Sequence, residues 1–158
     1  MKLLDIFRKD AIVPSIEADE RNDAIAELLD ALIEGGVAPA SIRDELLAQI
    51  LKREEMSTTG FGRGVAVPHV KHPGILSRGA AIGLSQRGID FKSMDKQPVY
   101  SMFLLLSPGD QPEDHLQSME TIFRSLMKDA FRRSLRESTT VDEVVHLLED
   151  ADNQVLGG

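Results

Sequence analysis

A chain of 158 residues, 42% hydrophobic and 28% charged, has the make-up of one globular domain long enough to bury ~70% of the surface that its unfolded form exposes. Its 18 basic and 26 acidic residues leave a net charge of -8, which argues against nucleic acid as a partner and weakly favours a basic protein. Cysteine is absent, the opening Met1-Lys2-Leu3-Leu4-Asp5 meets charge too soon for a signal-peptide core, and no apolar run approaches the ~18 residues that span a bilayer. Disulfide and thiolate chemistry are therefore excluded, and the chain is expected to be soluble and cytoplasmic, with no membrane insertion.

In chain order, Leu3 to Phe7 is a short apolar opening, and Ala11 to Ile16 is β-like but holds Pro14, which demotes it to an edge or a bend. From Glu20 to Glu34 apolar residues recur at helical spacing (Ala24, Ile25, Leu28, Leu29, Leu32, Ile33) until Gly35-Gly36 ends the pattern. A second helix begins near Pro39, carries Ile42, Leu46, Leu47, Ile50 and Leu51 on one face, and ends with the bases Lys52 and Arg53. Taken alone, Arg53 reads as an exposed base that complements the helix dipole.

The stretch from Ser57 to Gly74, S-T-T-G-F-G-R-G-V-A-V-P-H-V-K-H-P-G, organises the rest. Gly60, Gly62 and Gly64 allow positive φ and close approach of backbone N–H groups to an anion, Val65-Ala66-Val67 reads as a strand, and Pro68 ends it because proline cannot donate to a ladder. His69 then stands at a rigid strand end beside potential donors. The spacing is wrong for a dinucleotide loop, and no Gly-Lys-Ser/Thr follows to make a P-loop.

Gly79 to Ser85 and Val99 to Ser107 read as strands, the second nearly all apolar and so central, with a loop between them that holds a short extended piece at Ile89 to Phe91. A helix starts at Pro112 with Glu113 and Asp114 in its first turn; its inner face is predicted to hold Leu116, Met119, Ile122, Phe123, Leu126 and Met127, with His115 at the margin. Asp129 to Arg136 forms a further helical turn, and Thr140 and Glu143 match a capping box ahead of a last helix to about Glu149. The tail from about 151 to 158 is expected to fray. Helices, strands and crossover-length connections indicate a mixed α/β layer structure covering residues 1–158 as one domain.

The run T-G-F-G-R-G-V-A-V-P-H resembles the signature of the enzyme IIA domain of the bacterial phosphoenolpyruvate-dependent sugar phosphotransferase system, in its fructose, mannitol and nitrogen-regulatory class. Arg53, and His115 in P-E-D-H-L, stand where that class keeps an arginine and a second histidine. The resemblance implies a mixed parallel and antiparallel sheet with helices on both faces. It implies phosphorylation of His69 by a phosphohistidine carrier, HPr or its nitrogen-branch counterpart, without metal or cofactor. Phosphate contacts would come from Arg53, His115, Thr58, Thr59 and the N–H groups of Gly60, Gly62 and Gly64. The chain departs from the class at Val70, where a small residue is usual, and this bears on partner fit or rate. Phe61, Val70, Glu113 and Asp114 are the expected docking residues.

Two outcomes of transfer remain open. A regulatory domain would change its partners with phosphorylation, whereas a transport domain would pass the group to a cysteine on a IIB domain; the absence of any IIB-like or membrane segment tilts toward the regulatory, free-standing type. An interaction module without transfer is a third reading, kept open by Val70. A metal site of His69, His72 and His115 is disfavoured because Pro68 and Pro73 oppose the helical i, i+3 geometry it would need.

Overall fold

The computed structural model describes residues 1–157. A four-residue helix α1 (Leu3–Ile6) leads into β1 (Phe7–Val13), followed by α2 (Arg21–Glu34), a 3-10 turn (Ala40–Ile42) and α3 (Arg43–Met56). Three short strands come next, β2 (Gly60–Gly62), β3 (Val65–Ala66) and β4 (His69–His72), then the long β5 (Gly79–Ile89) and β6 (Val99–Pro108), and finally α4 (Pro112–Leu126), α5 (Asp129–Glu137) and α6 (Val141–Gly157).

The strands form one six-stranded sheet in the order β1-β5-β6-β3-β2, with β4 also on β6. Pairing is mixed. β1 runs parallel to β5, β5 antiparallel to β6, and both β3 and β4 run parallel to β6. As its apolar run requires, β6 is central: every residue in it is buried except Tyr100. Helices cover both faces, as expected for a sheet buried on two sides. Met102, Leu104 and Leu106 of β6 pack with Leu28, Leu32, Leu46 and Ile50 on the side of α2 and α3. Phe103 and Leu105 pack with Ile122, Leu126, Leu135 and Leu148 on the side of α4, α5 and α6.

Several boundaries differ from the sequence reading. β5 does not stop at Ser85 but runs to Ile89 through an irregularity in which Gly88 takes φ +83°, so the expected loop begins later. The extended segment before Pro68 resumes after it as β4, in unbroken register on β6. α6 carries its capping box as predicted, the Glu143 N–H donating to Thr140 Oγ1 at 3.1 Å, but it continues to Gly157 instead of ending near Glu149. The expected fraying is therefore not seen from Ala151 to Gly157, and Gly158 lies outside the described residues.

The largest difference is in α4. Its buried residues are His115, Ser118, Thr121, Ile122, Ser125 and Leu126, while Leu116 and Met127 are 60% and 67% exposed. Four of the six residues expected on the inner face, Met119, Ile122, Phe123 and Leu126, do pack on the core beneath α4, but the centre of that face is shifted toward the small polar residues, which satisfy themselves locally. Ser118 and Thr121 each donate to the carbonyl four residues back, at 2.8 Å, so their burial leaves no unpaired hydroxyl.

The α6 extension has a structural use. Asp152, 6% exposed, accepts hydrogen bonds from the N–H groups of Leu3 (2.7 Å) and Leu4 (3.2 Å), so the last helix caps the first. Asp152→Ala leaves buried donors unpaired and is expected to cost about 1–3 kcal/mol. A urea midpoint equal to that of the parent chain would show that the cap contributes nothing.

Candidate functional site

Pairing along β6 decides where His69 points. His69 lies opposite Leu105 and Val70 opposite Leu106. Leu105 belongs to the core on the α4 side and Leu106 to the core on the α3 side. His69 therefore projects toward α4, and Val70 projects the other way and packs beneath α2 and α3. Val65 and Val67, four and two residues before His69, share its face.

The His69 ring is oriented by its own strand. Nδ1 lies 2.8 Å from the Val67 carbonyl oxygen, and since a carbonyl only accepts, Nδ1 carries the proton. The lone pair is left on Nε2. The backbone bend at Pro68 makes this contact possible: its carbonyl accepts from Leu105 N–H at 3.1 Å, which keeps the chain on β6 although proline donates nothing.

The facing histidine is His115. Its ring centroid is 5.5 Å from that of His69 with the planes tilted by 47°. Pro112 at the start of α4 fixes the approach of the helix, and the Ser107 hydroxyl at the end of β6 lies 2.7 Å from His115 Nδ1. With Nδ1 engaged, Nε2 is the nitrogen that His115 offers to the site. Burial, with lesser contributions from the charges of His69 and Lys71, pushes His115 down to about 4 against an opposing pull from Asp114. At neutral pH it is an uncharged imidazole.

Arg53 stands in the last turn of α3, exposed, with Nη1 donating to the Ser57 carbonyl at 3.1 Å. Two residues after Ser57, the Thr59 carbonyl accepts a hydrogen bond from Val67 N–H, so the start of the hairpin meets the chain just before Pro68 and His69. Arg53 is thus anchored to the segment that flanks the histidine. Both threonine hydroxyls are engaged inside the fold. Thr58 Oγ1 donates to the Phe91 carbonyl (2.6 Å) and accepts from Gly60 N–H (3.0 Å), and the Thr59 hydroxyl donates to the buried carboxylate of Glu54.

The glycine run is a tight hairpin turn. Gly62, Arg63 and Gly64 all have positive φ (+107°, +60° and +78°), and the Arg63 N–H donates to Asp95 Oδ2 at 2.9 Å. Gly60 accommodates Ser93 against its backbone. These glycines shape the approach to Pro68, and the turn lies at the far end of β3 from His69.

Of the expected docking residues, Phe61 is 42% exposed and packs edge-on against Phe123 at 5.0 Å between centroids. Glu113 is exposed, whereas Asp114 is held by Arg78 at 2.8 Å. Val70 lies on the opposite sheet face, as its register dictates. Leu116 is exposed beside His115, while Met119 and Phe123, at i+3 and i+7 from it, are half-buried at the core margin, so a partly exposed apolar edge extends from Leu116 to Phe61. His72, an odd number of residues from His69 on β4, bonds Gly74 N–H through Nδ1 and meets Glu45 through Nε2 at 3.3 Å. The three-histidine arrangement does not form.

Residues 5–151 match the family model described as Phosphoenolpyruvate-dependent sugar phosphotransferase system, EIIA 2. The chain belongs to this EIIA family. It is 29% identical over 152 residues to the fructose-specific EIIABC component of Bacillus subtilis, of which it spans only 24% of the length while 96% of the chain itself is covered. It is 32% identical over 148 residues to a nitrogen regulatory protein of Bradyrhizobium diazoefficiens, covering 94% of this chain and 95% of that one. Among solved structures, nitrogen regulatory protein IIA-Ntr from Neisseria meningitidis superposes with a TM-score of 0.81 at 25% identity, covering 91% of this chain and 97% of that one.

Within this EIIA domain, sequence reasoning missed Ser107, Glu54 and Lys71. Ser107 sits in an apolar strand and gains its role only because α4 docks over it; Glu54 resembles its exposed neighbours in K-R-E-E but is 3% exposed. Lys71 has a readable signal, since it lies two residues beyond His69 on one strand and so shares its face.

His115 yields a pH prediction. In the unfolded chain its pKa returns to about 6.5, so between pH 6.5 and about 4 the unfolded state binds the proton that the folded state resists. Stability should accordingly fall by about 2–3 kcal/mol as pH drops through that window. Urea titrations of the parent and His115→Gln check this, because the substituted chain should lose that component of the slope. An identical pH dependence in both would show that His115 titrates normally.

Proposed function

We propose that His69 Nε2 accepts a phosphoryl group from the phosphohistidine of an HPr-type carrier protein. The observation that carries this reading is the Nδ1 to Val67 carbonyl bond, which places the lone pair of the neutral ring on Nε2, with the buried His115 ring facing that of His69 at 5.5 Å between centroids. The Nε2 lone pair attacks phosphorus, the nitrogen–phosphorus bond to the donor breaks, and the donor ring keeps that electron pair. As the new bond forms, the His69 ring gains positive charge, and its Nδ1–H bond to Val67 stabilises that charge. The Ser107 hydroxyl donates to His115 Nδ1, so that His115 Nε2–H faces the phosphoryl oxygens. Arg53 leaves the Ser57 carbonyl to place a guanidinium fork on the same oxygens. A transition state with charge spread over three equatorial oxygens requires donors of this kind.

A phosphoryl group on His69 also reverses part of the electrostatics at His115. The added negative charge opposes the burial that depresses the His115 pKa, so phosphorylation favours a charged His115. The exposed Leu116 and Phe61, joined by the half-buried Met119 and Phe123, form the edge where the donor protein docks, since exposed apolar side chains beside a reactive group mark an interaction surface.

For the outcome of transfer we favour regulation by phosphorylation state, supported by end-to-end coverage of a nitrogen regulatory protein. The fructose-type alternative, delivery to a IIB cysteine, is supported by the match to one quarter of a fructose-specific EIIABC component.

Intact-protein mass spectrometry after incubation with phosphoenolpyruvate, enzyme I and HPr tests the carrier role. One acid-labile phosphoryl group is expected on the parent, none on His69→Ala, and labelling slowed by ~10-fold or more on His115→Ala, the scale of lost donor stabilisation. Persistent labelling of His69→Ala alongside loss in His115→Ala would reverse the two roles. Phosphorus NMR of the labelled chain should report an Nε2 adduct, and adding a IIB domain should discharge it only if the transport reading holds.

A further inference from the structure

A cavity of about 610 Å³ opens where the β2–β3 turn, the start of β6 and α5 meet, at the end of the hairpin away from His69. Its lining brings together Arg63, Arg132, Arg133 and Arg136, with Tyr100 and Ser101. Convergence of four guanidinium groups is unexpected in a chain of net charge -8. Two carboxylates, Asp95 and Asp129, share the lining, and both are occupied. Asp95 accepts from the N–H groups of Arg63 (2.9 Å) and Gln97 (3.0 Å), which hold its carboxyl below the usual range. Asp129 is taken by Arg132 at 3.3 Å and by Arg133, and Arg132 also donates to the Leu126 carbonyl at 2.6 Å.

Two guanidinium groups on opposite walls are left over. Among the described residues neither Arg63 nor Arg136 pairs with a carboxylate. Arg136 lies over the Tyr100 ring, its Cζ 3.5 Å from the centroid, a stacking that fixes its plane and leaves its edge donors free. Arg63 occupies a left-handed turn position (φ +60°) where glycine or asparagine is the unstrained choice. A solvated basic helix face would account for the α5 arginines but not for Arg63 on the facing hairpin.

We propose that this cavity is a second site, which binds a small organic phosphate bearing at least two negative charges between Arg63 and Arg136, with Arg133 at its rim. The unpaired part of the lining consists of donors: guanidinium forks from two walls and the hydroxyls of Tyr100 and Ser101. That set suits the several acceptor oxygens of phosphate better than the two of a carboxylate. The volume lies in the ~300–1,000 Å³ range of small-ligand pockets, larger than one inorganic phosphate requires.

The test is an NMR titration of the full chain with inorganic pyrophosphate at low salt. Saturable shifts are expected at the amides of Arg63, Gly64, Tyr100 and α5, weakening as salt is raised. Affinity should fall ~10-fold, about 1.4 kcal/mol, in Arg63→Ala and Arg136→Ala. In Arg133→Gln, whose side chain is 67% exposed and so does not support the fold, it should fall by a smaller factor of ~3, as for one exposed charge contact. His69→Ala should bind pyrophosphate as the parent does, whatever the fate of the carrier reading. No saturation by ~10 mM, shifts confined to the surroundings of His69 and Arg53, equal affinity in all three arginine variants, or equal affinity for malonate would each overturn the proposal.

Discussion

The structure depends on the unbroken register with which the segment from Val65 to His72 lies along β6. Proline in the middle of a pairing strand costs one ladder hydrogen bond and ordinarily ends the strand. Here Pro68 removes only a donor, its carbonyl still meets Leu105 N–H, and the pairing resumes at His69 without a shift. Because side chains alternate across a strand, that continuity assigns every residue of the segment to a face. Val65, Val67 and His69 point toward α4, and Ala66 and Val70 toward α3. A slip of one residue would bury the His69 imidazole under α3 and turn Val70 toward α4.

The same alternation removes a difficulty raised by Val70. A branched residue directly after His69 is its neighbour only along the chain. Its side chain packs into the core between the sheet and the helices α2 and α3. What the histidine meets is set by α4, and here burial performs electrostatic work. Enclosing His115 beneath the helix start keeps it neutral, while Ser107 satisfies the nitrogen that faces the core. Two imidazoles at 5.5 Å would repel if both were charged, and the depressed pKa of one is what lets them share a site.

The inner face of α4 is partly polar. Ser118 and Thr121 can be buried because each bonds its own helix backbone, and Ile122 and Leu126 anchor the helix with Met119 and Phe123 at the margin. Leu116, Met119 and Phe123 form a partly exposed apolar edge, and Phe61 extends it onto the hairpin. Leu116 and Phe61 are the members of that edge left exposed. At the turn of that hairpin, two residues beyond Phe61, Arg63 begins the lining of the arginine-rich cavity.

Much of this was legible in the amino-acid order. The helices from Glu20 to Glu34 and from Pro112, the buried central strand from Val99, and the junction from Arg53 to His69 follow from local periodicity and from the backbone limits of glycine and proline, which act over a few residues. Three matters were decided only by tertiary structure. Where the inward face of α4 is centred could not be read from apolar spacing, because hydroxyls bonded to their own helix cost little to bury. The partners of Thr58 and Thr59 lie at Phe91 and Glu54, and a hydroxyl free in sequence terms is committed once the loop closes on them. The neutrality of His115 and the proton position on His69 depend on Ser107, eight residues before the one, and on how the carbonyl two residues before the other is turned at Pro68. Periodicity and turn chemistry are local properties of a chain, whereas burial, register and the direction of a hydrogen bond exist only after distant segments have met.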